Sequence, residues 1–218
     1  MKGQTQAVTA VMVTGIVVGA VTSAYVWGAP IVEKRQGQAD IMQTESTVLD
    51  LENKIRSISQ SGSGASEQVI LDLDDGNVNL NADENYIDVI TFSDNSPYPV
   101  GSWNMLRGQS RQGVSFGAGS YGIQGENVPG IVAVKKDSGG GSRIRYRVEF
   151  RNLRATTASG PELRLVDLKS SGAQTASGDV TIQLTNQGTE EDTGSDRFEI
   201  QGGEDIRRTR RLVEVDLR

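Results

Sequence analysis

The sequence contains no cysteine and no histidine. The absence of cysteine excludes a disulfide framework and a thiol nucleophile, and the absence of histidine removes the commonest general base and the commonest zinc ligand. An enzyme built from this chain would have to use paired carboxylates in a cleft. We therefore predict that the protein is not an enzyme and that it has no catalytic residue, no cofactor and no metal site.

Aromatic residues and proline are also scarce: aromatics make up 5% of the chain, and 5 of its 218 residues are proline. Glycine is abundant, with 26 residues, whereas the hydrophobic fraction of 36% is low for a globular protein. This composition favours a β-rich domain with many turns over a helical bundle. The excess of arginine over lysine and a pI near 4.8 lean towards a protein from a salt-loving organism.

Charged side chains are missing from residues 3–32, between Lys2 and Glu33. A helix formed by this run is apolar on all sides and exceeds the roughly 20 residues that cross a ~30 Å hydrocarbon layer. The run is also about twice as long as the apolar part of a cleaved secretory signal, which favours a permanent anchor. Gly15 and Gly19 form a G-x-x-x-G spacing that permits close helix packing, and Tyr25 and Trp27 lie where interfacial aromatic anchors are expected.

The helical pattern continues beyond this run but changes character. Gly28 and Pro30 predict a kink or a local loosening of the helix. Residues 33–59 are charged and amphipathic, and their apolar positions follow the seven-, three- and four-residue spacing of a coiled-coil seam. The seam residues are Ile41, Val48, Leu51, Ile55 and Ile58. A continuous helix of this length is on the order of 80 Å long, so we expect part of it to lie in a membrane or to pack against other copies.

A Ser/Gly-rich segment, residues 60–67, predicts a flexible linker that ends the helix. Short runs of alternating apolar and polar residues follow, and they predict eight or nine strands with one wet face. These runs begin at Val69, Tyr86, Gly130, Arg143, Glu162, Asp179, Arg197 and Leu212. Residues 135–142, KKDSGGGS, read as a hairpin loop. We therefore predict an α+β protein whose head, residues 68–218, is an antiparallel β-sandwich of Ig-like or jelly-roll-like type.

Basic residues are absent between Arg56 and Arg107, although this region contains eight acidic ones. The chain then turns basic, with arginine clusters at 143–154 and 207–211. The charges either offset one another on solvated strands of one fold, or an acidic patch on one copy meets a basic patch on the next. No nucleic-acid binding is expected, since the net charge is −6 and the aromatics are not interleaved with the arginines.

Two loops carry weak motifs. Residues 71–85 are rich in oxygen ligands but miss the calcium-loop spacing, because Gly76 comes one residue early, so an acidic turn between strands is the favoured interpretation. Residues 108–126 are glycine-rich without either common phosphate-binding motif, and we interpret them as an exposed loop. No N-x-[ST] sequon occurs.

The start of the chain resembles a known family. Lys2-Gly3-Gln4, followed at once by a long uncharged helix, resembles the class III signal of archaeal type IV pilins and archaellins. The run into AYVWGAP and EKRQ is most similar to pilin-like proteins of halophilic archaea. This resemblance covers about residues 1–60, and the head is similar only as a β-rich domain after a helix.

The resemblance implies processing and assembly. A prepilin peptidase would remove a leader of residues 1–3 and expose Gln4, and the pilus assembly machinery would move the helix, residues 4–32, from the membrane into a filament core with the head outward. The implied core residues are Val8, Val11, Met12, Gly15, Ile16, Gly19, Val21, Tyr25 and Trp27. Val8 stands where bacterial relatives typically have glutamate, so subunit registration through that glutamate is not expected.

Three classes of function remain open on the sequence. The first is a structural subunit that forms a helical homo-oligomeric filament, for adhesion or motility, through heterologous contacts between copies. The second is a single-pass anchored surface protein or minor pilin whose specificity lies in residues 95–130. The third, an enzyme, requires paired carboxylates and is the least favoured. The first two place the protein at the cell surface with a membrane-anchored precursor.

Overall fold

The computed structural model describes residues 2–73, 75–93, 96–108, 121–138, 142–158, 160–194 and 206–218, with side chains from Met12 onward except those of residues 121, 193, 194 and 206. A helix, α1 (Lys2–Ser59), precedes all the strands. The strands of the described residues are β1 (Ser66–Leu71), β2 (Asn77–Asn81), β3 (Tyr86–Phe92), β4 (Asn104–Arg107), β5 (Tyr121–Ile123), β6 (Gly130–Lys136), β7 (Arg143–Phe150), β8 (Asn152–Thr157), β9 (Gly160–Ser170), β10 (Thr175–Ser177), β11 (Val180–Gly194) and β12 (Ile206–Leu217).

The strands form two sheets of six strands each. Sheet A has the order β1-β11-β12-β9-β8-β5, and sheet B has the order β10-β2-β3-β7-β6-β4. Their pairings are antiparallel except for β12 with β9 and β5 with β8, which are parallel. Apolar side chains from both sheets belong to one buried core. The predicted α+β class, with a long apolar helix before a β-sandwich head, is confirmed.

The chain divides into two compact units, residues 1–40 and residues 41–218, and α1 contributes to both. In the second unit, the seam residues Val48, Leu51 and Ile55 are fully buried in the same core as the strands. Ile41 and Ile58 are buried there too. The coiled-coil interpretation of the seam is therefore wrong, because its apolar side is covered by the sheets of its own chain.

The predicted linker is shorter than residues 60–67, because β1 begins at Ser66. Its backbone is held in place: the amide of Gly64 donates to the carbonyl oxygen of Asn186 at 2.7 Å, and the amide of Asn186 donates to the carbonyl oxygen of Ala65 at 2.9 Å. We attribute the wrong interpretation to composition, because Ser and Gly are common both in flexible linkers and in ordered tight connections.

Asn186 joins the end of α1 to sheet A. Its side-chain amide donates to the carbonyl oxygens of Ile58 at 2.7 Å and Ser61 at 2.8 Å, while its Oδ1 accepts from the amide of Gly188 at 2.6 Å. The last carbonyls of a helix have no partner within the helix, so a side-chain donor here satisfies buried groups. Gly188 has a φ of 103° at the adjacent register shift in β11, a conformation that glycine adopts without strain.

Replacing Asn186 with alanine is expected to lower the free energy of unfolding of the head by about 2–4 kcal/mol, because it leaves buried backbone groups without partners. Gln187→Ala is the matched control, since the neighbouring Gln187 is exposed and bonds only Glu214 among the described residues. We expect it to change stability by less than about 0.5 kcal/mol. Equal urea midpoints for the two variants would contradict this role of Asn186.

The core strands were predicted correctly from their alternation, at β1, β3, β6, β7, β9, β11 and β12. The β6–β7 hairpin is also confirmed, with Lys136 paired to Ile144. Strands β2, β4, β5, β8 and β10 were missed. Strands β2, β4, β5 and β10 have five residues or fewer, and three of the five residues of β2 are Asn, which has a low intrinsic strand preference. The strand predicted at 197–200 lies outside the described residues.

Candidate functional site: the exposed apolar helix

The uncharged part of α1 exposes a large apolar surface. From residue 12 to residue 27 every side chain is exposed, and the most accessible large ones are Ile16 at 71%, Tyr25 at 74% and Trp27 at 80%. Met12, Val13, Val17, Val18, Val21, Val26, Ile31 and Val32 are exposed as well. A contiguous apolar surface of this size marks a site of contact with protein or lipid.

Length and composition suit this segment to a bilayer. It provides the 18-residue window of mean hydropathy 1.6 that makes α1 long and apolar enough to cross a membrane, and none of that window is buried within the chain. Residues 3–32 carry no charge, and at 1.5 Å per residue they extend about 45 Å. The helix is thus compatible with membrane anchoring.

Small residues leave part of this helix surface open. An ideal Cβ at Gly15 or Gly19 would have no neighbouring atom within 4 Å. Ser23 Oγ donates to the carbonyl oxygen of Gly19 at 2.8 Å, which satisfies the hydroxyl within the helix. Close approach by another helix at Gly15 and Gly19 stays a prediction from the G-x-x-x-G spacing.

The structure does not test the predictions made for the processing residues and the kink residues of α1. Lys2, Gly3 and Gln4 lie in the first turn of α1, but their side chains, like those of Val8 and Val11, are outside the described ones. Helix α1 continues without interruption through Gly28 and Pro30. The kink predicted at these two positions stays a prediction.

Glu52 fixes the second part of α1 to sheet B. Its side chain is fully buried, and Oε2 accepts a hydrogen bond from Arg107 Nη1 at 2.5 Å. Arg56 Nε lies 3.6 Å from Oε1. The backbone of Gly130 in β6 passes so close that a Cβ there would collide with the Glu52 carboxylate. Glycine at this position lets the strand approach the buried ion pair, a requirement that the sequence pattern does not reveal.

Most of the clustered arginines are paired within the head. Arg147 Nε donates to Asp88 Oδ1 at 2.7 Å, and Arg145 contacts both Asp88 and Asp137. Burial alone would raise the pKa of Asp137, but the hydrogen bond and charge of Arg145 outweigh it and hold that pKa below its ordinary value. In β12, Arg207, Arg208 and Arg210 pair with acidic residues of β11. Of the two interpretations of the charge pattern, offset within one fold is the one that these pairs support.

The two weak loop motifs gain no support as sites. Asp72, Asp75 and Gly76 form a connection between β1 and β2, as expected for an acidic turn. Within the described ranges, which omit Asp74, no group of three or more acidic side chains is placed to hold a metal ion. Residues 109–120 of the glycine-rich loop, and residues 94 and 95 of the region proposed to carry binding specificity, are outside the described residues.

Comparison of this chain with protein-family models, with curated proteins and with solved structures finds no match. The functional argument therefore depends on the helix and the head themselves.

Proposed function

We propose that the protein is a structural subunit of an extracellular type IV pilus-like filament, in which the apolar part of α1 packs among other copies and the β head faces outward. The observation that supports this proposal is a helix segment, residues 12–27, that is apolar and exposed on all sides. Residues 41–218 have a buried core of their own, which includes the seam of α1.

The exposed segment needs an apolar environment on every side. Burying one large aliphatic side chain contributes about 1.5–3 kcal/mol, so a helix with this many exposed ones is unstable in water as a single chain. Lipid surrounds such a helix before assembly, and identical helices surround it afterwards. Heterologous contacts between copies that do not close into a ring produce a helical fibre. Partners on this proposal are other copies, the membrane, a prepilin peptidase that cuts after Gly3, and the assembly machinery.

The N-terminal mass of protein sheared from the cell surface tests the proposal. We expect high-molecular-weight sheared material whose chains begin at Gln4, because processing and polymerisation then occur together. Intact Met1 recovered only in the membrane fraction contradicts the filament and leaves a permanent anchor.

A second candidate is a single-pass surface protein that does not form the filament body. The length and hydropathy of α1 favour it equally, since they fit a bilayer without any contact between copies. Under this candidate, shearing releases no polymer, and deleting residues 109–120, which leaves β4 and β5 in the chain, removes attachment to a surface without affecting membrane retention.

A further inference from the structure

Strands β11, β12 and β9 are neighbours in sheet A and extend beyond the part of the sheet that bears the apolar core. Strand β12 alternates, so Arg207, Thr209 and Arg211 lie on the same face of the sheet as the core residues Val213 and Val215. The pairing of β12 with β9 runs without a break from Arg207 opposite Glu162 to Val215 opposite Ser170. The inner face of sheet A therefore changes from apolar to polar along the same strands.

A cavity of about 520 Å³ lies over this polar part of the inner face. The end of α1 contributes Ser59 and Gln60, and Gln124 lies on the connection between β5 and β6. Leu153 of β8 and Pro129 supply an apolar wall. This volume is within the range of pockets that hold small ligands.

Two charged residues of the cavity lining, Glu162 and Arg207, have partners within the head. Glu162 is buried, and its Oε1 accepts hydrogen bonds from Arg164 Nε at 2.9 Å and from Thr209 Oγ1 at 2.7 Å. These hydrogen bonds hold the pKa of Glu162 below its ordinary value, so the carboxylate stays ionised at neutral pH. Arg207 pairs with Glu191.

Arg211 differs from the other two arginines of the cavity. Arg211 is an exposed residue that lines the cavity, and the described residues, which omit 195–205 between β11 and β12, contain no ion-pair partner for it. The described residues of the lining supply three guanidinium groups and two carboxylates, so among them positive charges outnumber negative ones by one. A guanidinium matches a carboxylate with two parallel hydrogen bonds.

We propose that this cavity binds a small hydroxylated carboxylate of the uronic-acid class, with the ligand carboxylate on Arg211. Glu162 and Glu191 accept hydrogen bonds from sugar hydroxyls, and the amides of Gln60 and Gln124 donate to them. The C–H face of the ring packs on Leu153 and Pro129. A compact polyanion fits less well, because the two fixed carboxylates repel it. The cavity lies wholly within residues 41–218, so this binding does not depend on filament assembly.

Titration calorimetry of the full chain in detergent micelles, with glucuronate as the probe, tests the proposal. Glucose is the matched ligand control, since it has the same ring without the carboxylate, and inorganic phosphate is the control for simple anions. We expect glucuronate to bind at least about tenfold more tightly than either control, with a dissociation constant near or below about 1 mM.

Two arginine variants locate the site. Arg211→Gln is expected to weaken glucuronate binding about tenfold, because it removes the charge and the paired donors. Arg154→Gln removes the same charge from an exposed position outside the cavity lining and should bind glucuronate as the unmodified chain does. Gln60→Leu provides a second variant within the lining, which we expect to weaken binding without removing charge.

Several results would overturn the inference. They are no measurable glucuronate binding, equal binding of glucose or phosphate, or equal losses in Arg211→Gln and Arg154→Gln. An unchanged thermal midpoint for each variant, within about 2 °C, shows that any loss is not due to unfolding. Filament recovery by shearing is scored separately, so failure of the ligand site is distinguishable from failure of the filament proposal.

Discussion

Replacing Ile16 with lysine is expected to abolish both recovery of sheared filaments and retention of the chain in the membrane fraction. Ile16 is 71% exposed in the middle of the uncharged part of α1. A lysine at the centre of a membrane helix costs about 2.5–3.5 kcal/mol on insertion scales, which corresponds to roughly a hundredfold loss or more. Among packed helices, an unpaired buried charge costs several kcal/mol. The head should keep its stability, because Ile16 is outside residues 41–218.

Two variants that keep α1 uncharged distinguish a filament subunit from a protein that is only anchored in the membrane. Gly15→Leu keeps the helix apolar, so membrane retention should persist, but its larger side chain blocks close helix approach and should abolish filaments. Ile16→Leu is the matched control and should leave both properties unchanged. Filaments assembled from Ile16→Lys would show that the apolar part of α1 is not the filament core. Filaments formed normally by Gly15→Leu would favour a looser packing than the G-x-x-x-G spacing predicts.

Replacing Leu51 with alanine is expected to lower the free energy of unfolding of the head by about 2–5 kcal/mol. Leu51 is fully buried in the core of the second unit, where the deleted methyl and methylene groups leave a cavity. This loss is a large fraction of the 5–15 kcal/mol that stabilises a typical domain. Urea unfolding, followed by Trp103 fluorescence in a Trp27→Phe background, reports on the head alone, because Trp103 lies against Lys135 and Arg147.

Met42→Ala is the matched control for Leu51→Ala, because Met42 is in the same helix and is 71% exposed. We expect it to change stability by less than about 0.5 kcal/mol. In the Ile16→Lys background, in which assembly through the apolar part of α1 is expected to be lost, the urea midpoint of the head should also be independent of protein concentration, since its own sheets cover the seam. A midpoint that rises with concentration, and that loses this dependence in Leu51→Ala, would restore the coiled-coil interpretation.

Elements with a strong local pattern could be predicted from the sequence. The helix was expected from residue 4 to residue 59 and runs from Lys2 to Ser59, because nothing before Ser59 interrupts the periodic pattern except Gly28 and Pro30. The longer strands were found because their alternation is regular. The short strand β10 and the Asn-rich β2 gain their stability from pairing with neighbours, which local preference does not report.

The two candidate sites also differ in how far the sequence could predict them. The exposed apolar helix was predictable, because thirty consecutive uncharged residues are visible in one stretch of sequence. The polar cavity was not, since Gln60, Glu162 and Arg211 are far apart in the chain. The parallel pairing of β9 with β12 places Glu162 and Arg211 in neighbouring strands, and Gln60 reaches the cavity from the end of α1. The alternation in β12 indicates which residues share a face, but it does not indicate where the apolar core ends.

The sequence alone determined that this chain has a long helix, apolar in its first part and amphipathic in its second, followed by a β-rich head. These properties depend on composition and periodicity, which act over a few neighbouring residues. Only the tertiary structure decided that Val48, Leu51 and Ile55 pack on the chain's own sheets, that Asn186 holds the end of the helix, and that Arg211 lines a cavity. Each of these depends on contacts between distant segments, whose partners are selected by the packing of the whole head.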